Sequence, residues 1–261
     1  MDLFFRTFGE GFPVFVFHGL YGSSDNWQTI GKQLSENHKV IIPDLRNHGR
    51  SFHSNEMDFE CMSQDVLNLF RIHNIKKSIV MGHSMGGKLA MKMAIDYPDL
   101  VEKLIIIDIA PKSYLKGYSK HFEFHKNIIN VMNSLDLSKI ESRRGAEEIM
   151  NQKLSSEKTV RFLLKNLKSD KNQGFIWGLN LKVIHRNLYK LIDDINEGNR
   201  SFNNPTLFIK GENSDYIVYD DQEQIFKIFP KAVINTIEHA GHWVHAEQPG
   251  KFLELVKKFI S

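Results

Sequence analysis

The stretch IVMGHSMGGKLA, residues 79–90, places Ser84 between Gly82 and the pair Gly86–Gly87, where an apolar run gives way to helical spacing. Glycines two positions before and after a serine let a strand and a helix meet at a sharp turn. Such a turn holds the serine strained and exposed, a cost to stability that points to chemistry. A serine hydroxyl is a weak nucleophile near neutral pH, so it needs a base, a carboxylate to orient that base, and donors for a developing oxyanion. His242 in HAGHWVHAEQP, residues 239–249, suits the base, and Gly241 beside it frees the backbone; it ranks above His245. Two carboxylates compete for the third role: Asp108 at the end of LIIID and Asp215 in GENSDYI. An acid at the second position commonly follows the glycine by three residues. Here Ser214 occupies that place, which favours Asp108 and leaves Asp215 as an alternative or a helper. The backbone N–H groups of Leu20, in HGLYGSSDNW, and of Met85, just after the serine, are the expected oxyanion donors.

These residues must be carried to one place. PVFVFHG, KVIIPDL, KSIVMGH, KLIIIDIA, PTLFIKG and AVINTIEHA are rich in Val, Ile and Phe and bounded by turn residues, as strands are. Between them SDNWQTIGKQLSE, MSQDVLNLFRIHNI, MGGKLAMKMAIDY, DDQEQIFKIF and QPGKFLELVKKFI show the three- and four-residue apolar spacing of amphipathic helices. The alternation predicts an α/β protein with a mostly parallel central sheet flanked by helices. LFFRTFGEGFPVFVF reads as a hairpin opening the sheet. The serine, Asp108 and His242 then each follow directly after a strand, in the chain order Ser, Asp, His.

From about 112 to 200 the spacing is helical throughout and no strand is expected. The expected division is a core of residues 1–111 and 201–261 with a helical cap, 112–200, inserted between two strands over their carboxyl ends. That segment holds 17 Lys and Arg against 10 Asp and Glu, while the whole chain of 261 residues carries only +3. The excess is either a solvated surface or a field that steers an anionic substrate.

Four more residues are candidates to line a pocket: Tyr21, His83, Trp177 and Trp243. His83, next to the serine, is expected to pack or hydrogen-bond beneath it, and Asp44, Arg46 and His48 in PDLRNHGRS to brace a loop. The single cysteine, Cys61, excludes an internal disulfide framework. Without a phosphate-binding loop, a dinucleotide fingerprint, H-E-x-x-H or a nucleic-acid motif, the reading is no metal, no cofactor and no nucleic-acid partner. The longest apolar runs are too short for a membrane span and the N-terminus lacks an export pattern, so a cytoplasmic protein, monomeric or weakly dimeric, is expected.

HGLYGSSDNW, DLRNHGRS, GHSMGGK, IDIAP, FLLKNL with FIWGLNL, GENSDYI and GHWVHAEQP together resemble the α/β-hydrolases, and within them the YbfF-type bacterial esterases and their mitochondrial abhydrolase relatives. The resemblance spans nearly the whole chain. It implies Ser84, Asp108 and His242 as nucleophile, acid and base, and hydrolysis of short- to medium-chain carboxylic esters, with acyl-CoA thioesters as a further possibility. Members often lack an acid in the G-x-N-S-x-Y segment, and Asp215 departs from that pattern. Lactone, C–C bond or peroxyacid chemistry could run on the same triad, and a ligand-binding protein with little turnover is the reading from another class. Dehalogenases and epoxide hydrolases of this fold resemble it with a carboxylate where this chain has Ser84.

Overall fold

The computed structural model describes residues 2–115, 120–170, 174–195 and 200–261. Seven strands form the central sheet: β1 (Phe5–Phe8), β2 (Phe12–Phe17), β3 (His38–Pro43), β4 (Ser78–His83), β5 (Val101–Ile107), β8 (Thr206–Gly211) and β9 (Ala232–Ile237). Their order is β1-β3-β2-β4-β5-β8-β9, parallel throughout except β1, which runs antiparallel on the edge.

Period-two alternation buries both faces of this sheet. Val14, Val16, Ile79, Met81, Ile105 and Ile107 belong to one core cluster, while Phe15, Phe17, Val80, Leu104 and Ile106 belong to the other. Helices α1 (Gln28–Leu34), α2 (Phe59–Ile72), α3 (Met85–Asp96), α8 (Asp221–Ile228), the short α9 (Val244–Glu247) and α10 (Pro249–Ile260) cover it. Helix α3 packs against β4, β5 and β2, so the turn that begins it lies mid-sheet.

The expected opening hairpin is not formed. β1 pairs with β3, Phe5 facing Pro43 and Phe8 facing Val40, and β3 lies between β1 and β2. The linker instead crosses the start of β3: Gly9, at φ 69°, passes so close that a Cβ there would sit 2.5 Å from the His38 carbonyl oxygen. Only glycine tolerates both the angle and the contact.

Between β5 and β8 lie α4 (Lys120–Asn133), α5 (Arg143–Asn151), α6 (Glu157–Leu164) and α7 (Leu181–Ile192). Ser142, Ser156 and Asn180 cap α5, α6 and α7 by accepting hydrogen bonds from the N–H groups of Gly145, Thr159 and Val183. Helix α4 packs on α7, and α5 on α6. Against the strand-free expectation, β6 (Leu167–Asp170) and β7 (Gly174–Trp177) pair antiparallel here, Leu167 facing Trp177. LKSD in β6 carries no β-branched or aromatic residue, and GFIW in β7, though rich in them, is too short a run to stand out beside amphipathic helices. Among the described residues no helix is long and apolar enough to cross a membrane.

Candidate active site

Ser84 sits between β4 and α3 with φ 53° and ψ −119°, outside the regions open to an L-residue without strain. The surrounding glycines explain how the turn closes. A Cβ on Gly82 would lie 2.1 Å from the Gly86 carbonyl oxygen, and one on Gly86 would lie 2.4 Å from that of Phe17. Backbone cannot yield as a side chain can, so strand and helix meet only because both positions lack a Cβ.

Asp108 follows β5 at φ 49° and is wholly buried. Its Oδ1 accepts from the Gly211 N–H at 3.0 Å, and its Oδ2 accepts from the Ser214 hydroxyl and lies 2.8 Å from His242 Nδ1. Three partners are what a carboxylate excluded from water requires. The structure therefore brings Asp108, and not Asp215, to His242. Asp215 points elsewhere, into an ion pair with Lys120 and to 3.5 Å from His121 Nε2. Partial burial pushes its carboxyl up, and the Lys120 ammonium more than offsets this, leaving it below the usual carboxylate range. Ser214, at the position where an acid could have stood, donates to the carboxylate that replaces it.

Several contacts hold the His242 loop. His83 Nε2 lies 2.8 Å from the His242 carbonyl oxygen. Burial, reinforced by His242 and His245, drives the His83 pKa well below its usual value, so its neutral ring must carry the proton on Nε2 and donate it. Gly241 N–H donates to Glu247 Oε2 at 2.7 Å, and Glu247 pairs with Lys158 at 2.6 Å. The Tyr216 ring stacks on the His242 imidazole at 3.9 Å and 19°. His245 stacks instead on Trp27, away from Asp108, with burial pushing its pKa down to about 3.

Ser84 and His242 line one cavity, with Tyr21, His83 and Trp243 among its walls and Phe124, His125, Phe162 and Leu163 bounding it from α4 and α6. A second, small cavity is also lined by Ser84, together with Leu20 and Met85. Met85 is the first residue of α3, so its N–H has no partner within the helix. Trp177 is not among the side chains around either cavity. Its Nε1 donates to the Met132 carbonyl oxygen at 3.3 Å, and β7 carries the ring into the packing between helices. Tyr216 and His125 escaped the sequence reading. GENSDYI already displayed the tyrosine after a strand, whereas nothing local marks a histidine on an amphipathic helix.

The bracing expected of the loop after β3 is present. Asp44 accepts from Ser24 N–H at 2.6 Å and Arg50 N–H at 2.8 Å, Arg46 is paired with Asp65 at 2.6 Å, and His48 Nε2 accepts from Tyr21 N–H at 3.3 Å.

Residues 13–249 match a family model described as the alpha/beta hydrolase fold. The chain belongs to the α/β-hydrolase family. Its sequence is 41% identical over 250 residues to a putative esterase/lipase of Haemophilus influenzae, covering 95% of this chain and 83% of that protein. It is 33% identical over 249 residues to the esterase YbfF of Escherichia coli, covering 95% of this chain and 93% of that one. Among solved structures, a marine microorganism esterase superposes with a TM-score of 0.96 at 39% identity, covering 99% of both chains. The resemblance read from the motifs thus holds along nearly the whole chain.

Proposed function

We propose that this α/β-hydrolase is a carboxylic ester hydrolase that works through an acyl-enzyme on Ser84, with His242 as base, Asp108 as its orienting carboxylate, and the N–H groups of Leu20 and Met85 as the oxyanion site. The observation that carries the reading is the 2.8 Å contact between His242 Nδ1 and Asp108 Oδ2, with the other edge of the ring free to address the cavity it shares with Ser84. Relatives named as esterases support the reaction class.

In the first half-reaction His242 Nε2 takes the Ser84 proton as Oγ attacks the ester carbonyl, and the two N–H donors receive the negative charge. Asp108 stabilises the imidazolium that results, and His242 returns the proton to the leaving alcohol. Water then attacks the acyl-enzyme, with His242 again as base, and the acid is released. Segment 112–200 acts as a cap: α4 and α6 wall the larger cavity and α4 and α7 the second, and together they limit the acyl and alcohol groups taken, short to medium chains being the expected range. Hydrolysis of p-nitrophenyl esters of increasing acyl length by the wild type and by Ser84→Ala tests the reading. Turnover abolished by the substitution supports it, and absence of turnover at every length by the folded wild type would favour a ligand-binding protein.

A thioester reading is favoured by one further observation. Lys165, with Lys158 and Arg161, which pair with Glu247, Glu147 and Glu157, lines an outer groove that shares Phe162 and Trp243 with the cavity, where the phosphates of an acyl-CoA could lie in competition with those carboxylates. An acyl-CoA kcat/KM that exceeds that of the simple ester and falls with added salt would establish it, and no excess and no salt response would remove it.

A further inference from the structure

The second cavity, from Ser84 along α3, has mostly apolar walls, Leu20, Met85, Ile109, Leu191 and Ile192 among them, but a few polar groups converge in it. Lys88, Tyr114, His121, His125 and Tyr216 line it together with the serine. Lys88 lies one helical turn after Ser84 and is 1% exposed. Its Nζ donates to the carbonyl oxygens of Lys112 at 2.8 Å and Asp193 at 2.7 Å, and it lies 5.1 Å from the centre of the Tyr114 ring. An ammonium has three N–H donors, so two carbonyls leave one unused. No carboxylate among the described residues forms an ion pair with it. A buried cation hydrogen-bonded to neutral carbonyls, with Asp194 and Asp193 only partly offsetting its burial, is costly, and an anion reaching it adds to that counter-charge.

The chemistry of the first half-reaction decides which part of a substrate meets this cation. The leaving oxygen must take its proton from His242, and His242 lines the larger cavity but not the second one. The alcohol therefore occupies the larger cavity, and the acyl group extends past Ser84 into the second. His125, on the wall the two cavities share, also carries an unmet polar atom. It is 8% exposed, its Nε2 lies 3.3 Å from the Tyr216 hydroxyl, and its buried Nδ1 has no hydrogen-bond partner.

We infer that the second cavity is an acyl subsite for acids carrying a terminal carboxylate or equivalent anion, and that Lys88 is its specificity-determining residue. The inference rests on the serine-esterase reading above. Burial pushes the Lys88 pKa down to about 7, only partly offset by Asp194 and Asp193, and a bound carboxylate supplies the missing counter-charge. The carbonyls of Lys112 and Asp193, where the chain enters and leaves the α4–α7 segment, hold the ammonium at the end of the pocket.

The test compares monomethyl succinate, glutarate and adipate with the neutral methyl esters of matching length, followed by pH-stat with the wild type and with Lys88→Met. The wild type is expected to favour one half-ester over its neutral counterpart by about ten- to hundredfold in kcat/KM, the range of a buried charge-assisted hydrogen bond. Lys88→Met should invert that ratio. A merely structural lysine would lower both substrates together and leave the ratio unchanged, which would overturn the inference. Inhibition of neutral-ester hydrolysis by glutarate and by valerate needs no variant. Stronger inhibition by the dicarboxylate supports the subsite, and equal or weaker inhibition removes it. Acetylglycolate, which carries its carboxylate on the alcohol part, should gain nothing over ethyl acetate, and a preference for it would place the anion site on the wrong side. Hydrolysis of the neutral esters by the wild type, lost in Ser84→Ala, reports separately on the esterase reading.

Discussion

Asp108→Asn should lower kcat/KM for a short-chain ester by about 10⁴-fold, whereas Asp215→Asn should change it by no more than about fivefold. The wild-type carboxylate accepts from Gly211 N–H, Ser214 Oγ and His242 Nδ1 in a site with no exposure to water. An asparagine amide cannot satisfy all three. With its oxygen toward His242, its NH₂ group meets the Gly211 N–H, donor against donor. Turned over, its NH₂ faces His242 Nδ1 and forces the proton onto Nε2, the nitrogen that must take the Ser84 proton. Either way the negative charge that stabilises the imidazolium is gone. A loss of 10⁴ corresponds to about 5.5 kcal/mol of transition-state stabilisation at 1.36 kcal/mol per decade. Asp215 is paired with Lys120, whose side chain is 74% exposed, and such surface pairs are worth up to about 1 kcal/mol. The assay is initial-rate hydrolysis of a chromogenic short-chain ester, with circular dichroism and a melting curve on each variant to establish folding. Retention of more than about a tenth of activity by Asp108→Asn, or an equal collapse in Asp215→Asn, would refute the assignment.

Ser214→Ala removes one donor from a buried carboxylate and should lower the unfolding free energy by about 1–3 kcal/mol while reducing kcat by no more than about tenfold, read from urea titration and steady-state rates. An unchanged urea midpoint would mean that the serine contributes nothing to Asp108. Gly82→Ala, whose Cβ would meet a backbone oxygen at 2.1 Å, should cost about 3 kcal/mol or more or leave the protein insoluble. A normally stable Gly82→Ala would contradict the packing of β4 on α3. Burial lowers the pKa of His48, His125 and His245 from 6.5 to about 3 each. The unfolded chain therefore binds more protons between those values. Stability is fully present above about pH 6.5 and falls as pH drops toward 3, at about 1.4 kcal/mol per pH unit for each histidine. Urea midpoints measured from pH 7 to pH 4 should decline steeply, and a flat profile would show that these rings are hydrated in the folded state.

What could be read from the chain was whatever is local in it. The core strands announce themselves because runs such as LIII in β5 are buried on both faces and need no alternation of polar residues. Ser84 announces itself because its strain demands glycines within two residues. The edge pairing of β1 with β3 was not legible, since it joins Phe5 to Pro43 across most of the first βαβ unit, and a three-residue link containing two glycines suggests a hairpin equally well. The choice between Asp108 and Asp215 was half legible: Ser214 weakened one candidate, but only the placement of β5 beside β8 brings the carboxylate to Gly211, Ser214 and His242 together. Trp177 was a reasonable pocket candidate by type. Its strand pairing within the α4–α7 segment, which no pattern in LKSD reveals, leaves its Nε1 on the Met132 carbonyl oxygen and the residue off the walls of both cavities.

A covalent intermediate on Ser84 is what distinguishes this mechanism, and the mass of the protein quenched during turnover of a slowly released ester reads it out. A population heavier by one acyl group is expected, located by proteolysis to the peptide carrying Ser84 and missing from Ser84→Ala. Full turnover with no acylated species under rapid quenching, or an adduct on any other residue, would contradict the mechanism.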